Sequence, residues 1–263
     1  MSAVARVLRP RPPRNSVSGA AGVDVRGLAV HFEGVKAVDG VDLTLARGEI
    51  LGLIGPNGAG KTTFVNAITG FQRPTAGAVH VDGFDVTGWG AARLARTGIA
   101  RTFQSVRLFP QLSVLENVEV GAVGNGLDRA AARRLAVELL DRFDLAERAH
   151  QLAFGLPHGQ ERRLGIVRAL AGRPTYLLLD EPAAGLNEEE GHELVGSLRR
   201  IKDDFGCGLL VIEHDMRVIM RLCERLQVLD YGKTIAVGTP EQVRADPAVL
   251  TAYLGRRRGE PGA

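Results

Sequence analysis

Residues 55–62 read Gly55-Pro56-Asn57-Gly58-Ala59-Gly60-Lys61-Thr62 and fit the pattern G-x-x-x-x-G-K-[ST]. The chain holds only four lysines and 18 serines and threonines. Random placement of that composition would produce the pattern roughly 0.004 times per chain of this length. The surroundings agree: a short apolar run, Ile50–Ile54, suits a buried strand, and a helical stretch ending at Gly70 follows the glycines. Strand, glycine loop and helix in that order restrict the chain to an α/β fold with an anion site at the strand's carboxyl end. Small residues let backbone N–H groups curl around phosphate oxygens, and the helix N-terminus adds partial positive charge. Lys61 then reaches the β- and γ-phosphates, and the Thr62 hydroxyl can ligate Mg²⁺.

A second segment, Tyr176-Leu177-Leu178-Leu179-Asp180-Glu181, supplies the acids this site requires. An apolar strand ending in Asp180 places a carboxylate at the carboxyl edge of the sheet, where it holds Mg²⁺ through its water shell. Glu181, one residue on, is placed to polarise an attacking water. The rest of the chain orders itself around these two motifs. Val23, Val25, Leu28, Val30 and Phe32 read as a strand with a slip at Gly27, and Val41, Leu43 and Leu45 alternate cleanly. Asp82-Gly83 marks a hairpin between 78–81 and 84–86. From Ser113 to about Ala171 the pattern is helical: Ser113 with Glu116 makes a capping box, Asp128 caps a helix to about Phe143, and 160–171 carry apolar residues at helical spacing. After Pro174, strands at 176–179, 209–212 and 225–229 alternate with helices at 188–204 and 215–223, which argues for a parallel sheet covered by helices.

Charge location matters more than the net +3. Residues 1–22 hold four arginines (Arg6, Arg9, Arg11, Arg14) and no acid, and 255–263 hold three (Arg256, Arg257, Arg258) and one Glu260, so 23–254 is net −3. A body without basic excess argues against a nucleic-acid surface. The first stretch reads as a disordered basic tail and the last as a flexible basic one. The N-terminal tail lacks an apolar anchor for lipid attachment. Apolar residues at 45% and charged residues at 24% are globular values. No run approaches a membrane span. Two cysteines, Cys207 and Cys223, build no disulfide framework, so a reducing cytosol is the default compartment.

Over 23–254 the sequence resembles the ATP-binding subunits of ABC transporters. The phosphate loop with Thr63, the Asp180-Glu181 strand, and Leu156-Pro157-His158-Gly159-Gln160 ahead of a helix carry the likeness. The last stands where that family places its L-S-G-G-Q signature. The resemblance implies an α/β phosphate-loop NTPase (RecA-like) core with an antiparallel β subdomain and a helical subdomain, about 105–171, inserted in it. It implies ATP and Mg²⁺ as ligands, with 55–63 cradling phosphate and Thr62, Gln104 and Asp180 around the metal. Phe32 matches the aromatic that stacks on adenine; a core aromatic at a strand end is the other reading. Glu181, Gln104 and His214 match the catalytic groups, His214 as the γ-phosphate histidine. Ala183-Ala184-Gly185-Leu186-Asn187 matches the loop that crosses the dimer, with Asn187 in place of the usual Asp. Pro157 replaces a signature serine, so no hydroxyl is available there.

The resemblance further implies a peripheral subunit on the cytoplasmic face of the cell membrane, bound to integral-membrane permease subunits and served indirectly by a solute-binding protein. Its ATP sites form between two cassettes, each signature completing the other chain's site, with a second ATPase chain as partner: a different chain is expected, a second copy of this one is the alternative. EPAAGLN, IEHDM, GTPEQVR and a terminal AYLG are similar to the branched-chain amino acid importer group, which also serves urea and short amides. A soluble ABC ATPase acting on DNA or ribosomes, and a non-hydrolysing regulatory module, are the rivals. The acidic body speaks against the first, and the presence of Glu181 and His214 against the second. Val106, Leu108 and Phe109, just after Gln104, are expected either on the permease-docking groove or in the core of the helical region.

Overall fold

The computed structural model describes residues 21–104 and 106–254. Residues 1–20 of the expected N-terminal tail, and the C-terminal tail 255–263, lie outside the described residues. Strands β1 (Gly22–Phe32), β2 (Val35–Ala46), β4 (Ala76–Val81) and β5 (Phe84–Asp85) form an antiparallel sheet in the order β2-β1-β4-β5. The slip at Gly27 is a bulge: the β1–β2 register shifts between Val25 and Leu28, and Gly27 takes a φ of 55°, which a glycine adopts without steric cost. Asp82 and Gly83 both have positive φ, the geometry a two-residue hairpin turn requires.

The second sheet joins β3 (Ile50–Ile54), β6 (Ile99–Arg101), β7 (Tyr176–Asp180), β8 (Gly208–Ile212), β9 (Arg225–Asp230) and β10 (Lys233–Gly238) in the order β10-β9-β3-β8-β7-β6. Every pair is parallel except β9–β10. Strands β3, β7 and β8 are buried along their whole length, which is why they read as continuous apolar runs. Their alternate faces serve two cores. Leu51, Leu53, Leu178 and Leu210 pack toward the antiparallel sheet and Phe64, while Ile50, Ile54, Leu177 and Leu179 pack toward the helices.

The helices are α1 (Lys61–Ile68), α2 (Ala91–Arg96), α3 (Val114–Gly124), α4 (Arg129–Arg142), α5 (His158–Ala171), α6 (Glu188–Phe205), α7 (Met216–Leu222), α8 (Pro240–Ala245) and α9 (Pro247–Leu254). Between β6 and β7 the described residues hold only α3, α4, α5 and a short 3₁₀ turn, Ala146–Arg148. Ser113 and Glu116 form the expected capping box, and Asp128 caps α4 through the Ala131 N–H. Helix α5 begins at His158, two residues earlier than its apolar periodicity indicates, because Pro157 serves as its N-cap residue. Parallel register brings three strand ends to one edge. Leu53 and Asp180 both pair with Ile212, so Gly55, Glu181 and His214 emerge side by side.

Candidate functional site

The phosphate loop leaves β3 through glycines, two of which, Gly55 and Gly60, leave no room for a side chain. Gly55 has φ 148°, and a Cβ there would fall 2.1 Å from the Leu229 carbonyl oxygen. At Gly60, φ 99°, it would fall 2.3 Å from the Ala37 oxygen. Gly58 faces open space, with φ 76°. Gly60 caps α1 without a side chain, leaving the helix start clear. Pro56 and Ala59 are buried, and Asn57 is exposed at the loop tip. Lys61 Nζ folds back onto the loop, donating to Gly55 O at 2.6 Å and Pro56 O at 3.0 Å. The ammonium thus already lies over the cradle, and Thr62 and Thr63 follow it on the first turn of α1, Thr62 exposed. This shape fits a polyphosphate: amide-lined, free of side chains, with a cation at its rim.

The acids stand opposite. Glu181 adopts φ +48°, a left-handed conformation unfavourable for a residue with a Cβ. Its N–H donates to Ile212 O at 2.8 Å, and Arg162 Nη1 donates to its carbonyl at 2.7 Å. With a third, from the Ala184 N–H to the same carbonyl at 3.2 Å, these bonds fix the Glu181 backbone, and the side chain projects to Gln104, whose Nε2 donates to Glu181 Oε2 at 2.7 Å. His214 Nδ1 lies 3.8 Å from Glu181 Oε1, on a side chain 61% exposed. The three expected catalytic residues therefore meet at one point. Asp180 ends β7 nearly buried, and its Oδ2 accepts from Arg101 Nη2 at 2.6 Å. Among the described residues no group of three or more His, Cys, Asp or Glu could hold a metal. A single carboxylate, Asp180, at the sheet edge that also carries the phosphate loop fits Mg²⁺, which is held by one or two carboxylates together with substrate phosphates rather than by a protein cage.

Three residues of this site escaped sequence reasoning. Arg101 is one, and its partner is 79 positions away. Arg162 is another; it lies on the apolar stripe of α5, four residues before Ile166, and a charged residue in such a stripe is the signal that marks it. Burial pulls its guanidinium below the usual arginine range, against the attraction of Glu213, Glu181 and Glu161. Glu213, 1% exposed, is the third. Its carboxylate accepts from the N–H groups of Ala183 (2.6 Å), His214 (3.0 Å) and Asp215 (3.2 Å), joining the loop after β7 to the loop after β8.

The remaining expected residues lie around this centre. Phe32 ends β1 at 44% exposure, so it is not a core aromatic. In 183–187, Ala183 and Ala184 lie at the surface of the core, and Asn187 caps α6 in a capping box with Glu190. The 156–160 segment starts α5: Leu156 is buried, and the Pro157 carbonyl accepts from Gln160 and Glu161 N–H. A Cβ on Gly159 would fall 2.9 Å from Glu190 Oε1, and one on Gly185 3.1 Å from His158, so the signature and the 183–187 loop abut. Beyond Gln104, a groove of about 490 Å³ is lined by Phe71, Phe103, Phe109, Val120 and Arg168 among others. Asn117, fully buried, holds Phe109 there through both backbone groups. Val106 and Leu108 pack instead onto α5 and the helical core.

Comparison with known proteins agrees with this geometry. The ABC transporter family profile matches residues 38–184, and a branched-chain amino acid ATP-binding cassette transporter profile matches 233–258. The chain is 40% identical over 248 residues to the high-affinity branched-chain amino acid transport ATP-binding protein BraF of Pseudomonas aeruginosa, covering 89% of this chain and 97% of that one. It is 41% identical, with the same coverage, to the corresponding LivG of Escherichia coli K12. Among solved structures, the ADP conformation of the ATP-binding cassette MJ1267 matches with a TM-score of 0.82 at 29% identity, covering 90% of this chain and all of that one. The dimeric cassette MJ0796 bound to ADP and Pi matches at 0.74 and 28%, covering 83% and 98%. The chain belongs to the ABC transporter family, as one of its ATP-binding, ATP-hydrolysing subunits.

Proposed function

We propose that this subunit energises uptake of branched-chain amino acids through membrane permease partners. The observation that carries the energising role is the meeting of Glu181, Gln104 and His214 opposite the phosphate loop. The solute class is supported by the similarity to BraF and LivG and by the match over 233–258.

Catalysis here is positioning plus charge stabilisation. The amides of 55–63 and Lys61 hold the β- and γ-phosphates, and Phe32 offers its exposed ring to adenine. Glu181 accepts the proton of the attacking water, Gln104 orients that water once the nucleotide draws its amide off Glu181, and His214 contacts the γ-phosphate. Thr62, Gln104 and Asp180 would hold Mg²⁺, which would supply neutralisation of charge on the phosphate oxygens. Each site is completed by the 156–160 segment of a second cassette, with 183–187 crossing between the two. A different ATPase chain is the expected partner. The groove beside Gln104 receives a permease segment, with Phe109 on its wall. Among the described residues no helix is long and apolar enough to cross a membrane, in keeping with peripheral attachment at the cytoplasmic face.

The test is reconstitution of the chain with its permease, its partner ATPase and its solute-binding protein in liposomes loaded with Mg·ATP. Labelled leucine should accumulate, and Glu181→Gln should stop it. Accumulation of urea without leucine would assign the transporter to short amides instead.

A further inference from the structure

The Arg101–Asp180 pair is more than a surface contact. The two side chains are 6% and 11% exposed, and the Nη2–Oδ2 distance is 2.6 Å. The other terminal guanidinium nitrogen, Nη1, donates to Asn66 Oδ1 at 2.6 Å and Thr69 Oγ1 at 3.3 Å, on the helix that the phosphate loop begins and at its C-cap. The rings of Phe103 and Phe71 lie 5.1 and 5.8 Å from its Cζ. Its Nε is buried without a partner. A guanidinium this desolvated is expensive unless the charge it faces must be neutralised. That charge is the carboxylate assigned to magnesium.

We propose that Arg101 is the resident counter-ion of Asp180 and sets how strongly Mg²⁺ contributes to nucleotide binding. Without nucleotide the carboxylate is neutralised by Arg101 rather than by metal. When Mg·ATP arrives, Arg101 keeps Oδ2 oriented toward α1 and leaves Oδ1 for the metal's water shell. Its fixed positive charge opposes the divalent ion, so the site takes the metal effectively only together with the phosphates.

The inference rests on the assignment of Asp180 to magnesium, and the two can fail separately. The readout is the magnesium factor: the ratio of ATP affinity with excess Mg²⁺ to that in EDTA, measured on the purified full chain by calorimetry. Asp180→Asn must bring that factor toward one; if it does not, the metal assignment itself is wrong. Arg101→Gln keeps a hydrogen-bond donor and removes the charge. It should raise the factor about tenfold or more, because a unit charge one carboxylate away repels a divalent ion appreciably even at an effective dielectric of about 20. Arg101→Lys keeps the charge and loses the two-sided fork, and should leave the factor within about twofold of wild type. An unchanged or lowered factor in a folded Arg101→Gln chain overturns the proposal and makes Arg101 a structural clasp. If that variant does not fold, a tenfold change in Arg101→Lys overturns it equally.

Discussion

Replacing Arg162 by Met separates the placement of Glu181 from the binding of nucleotide. Met keeps the apolar stem but ends two atoms short of the guanidinium nitrogens, and it cannot donate to the Glu181 carbonyl. The lost bond, 2.7 Å from a charged donor, is worth about 1.5–3 kcal/mol. Part of that is returned, because the guanidinium is desolvated and its Nε is unpartnered. Glu213 keeps its three N–H donors. A net destabilisation of about 1–2 kcal/mol follows, which lowers the melting temperature by roughly 2–8 °C in a chain of this size. The functional loss should be larger. With the charged donor gone and only the Ile212 and Ala184 bonds left, Glu181 can relax from φ +48°, a conformation costing about 1–2 kcal/mol. A displacement of the base by about 1 Å is enough to cost a hundredfold in rate. Steady-state hydrolysis should therefore show kcat reduced about tenfold to a hundredfold, with ATP affinity within about twofold of wild type because no phosphate-loop contact changes. Arg162→Lys, retaining one donor, should recover part of the rate. An Arg162→Met chain with the expected thermal loss but wild-type kcat would refute the argument and reduce Arg162 to packing.

Glu181→Gln should bind ATP normally, abolish turnover and trap an ATP-bound dimer, seen by size-exclusion chromatography; near-normal hydrolysis would remove Glu181 as the base. Phe32→Ala should lower ATP affinity roughly 5- to 150-fold, by analogy with stacking energies of about 1–3 kcal/mol per base; equilibrium binding of a folded variant checks it. Phe109→Ala should keep basal hydrolysis and melting temperature, since the ring is 45% exposed, yet uncouple hydrolysis from uptake in the reconstituted transporter.

The features legible in the sequence are those whose causes are local. The phosphate loop, the Asp82-Gly83 turn and the capping box at Ser113 each specify themselves within eight residues. The fully buried strands β3, β7 and β8 announce themselves by apolar runs. Strand β6 did not, because three residues, Ile99–Arg101, carry no readable period. Helix α2, with six residues and one buried side chain, was equally silent. The supports of the site were hidden for another reason. Arg101 meets Asp180 across 79 positions, Glu213 meets Ala183 across 30, and Arg162 meets Glu181 across 19. Such pairs are chosen by the parallel register of the sheet and the seating of α5 against it, and no window of sequence contains both members.

Pro157 and Asn187 show how one residue can depart from a family pattern while the backbone around it keeps its form. Pro157 offers no hydroxyl and no N–H, yet its φ of −54° lies in the range its ring enforces, and its carbonyl accepts from the Gln160 and Glu161 amides in the first turn of α5. The helix start is therefore held by the backbone, and the amides from His158 onward remain aligned along its axis. Asn187 likewise caps α6 through its side-chain oxygen in a box with Glu190, a task an Asn performs as well as an Asp. Glu190 in turn sits where a Cβ on Gly159 would collide, so the two helix starts share one corner and a shift of either displaces the other. Arg162, on the second turn of α5, carries that corner to the Glu181 peptide. The segment proposed to close a partner's site and the base proposed to serve this chain's own site are thus fastened to the same short stretch of helix.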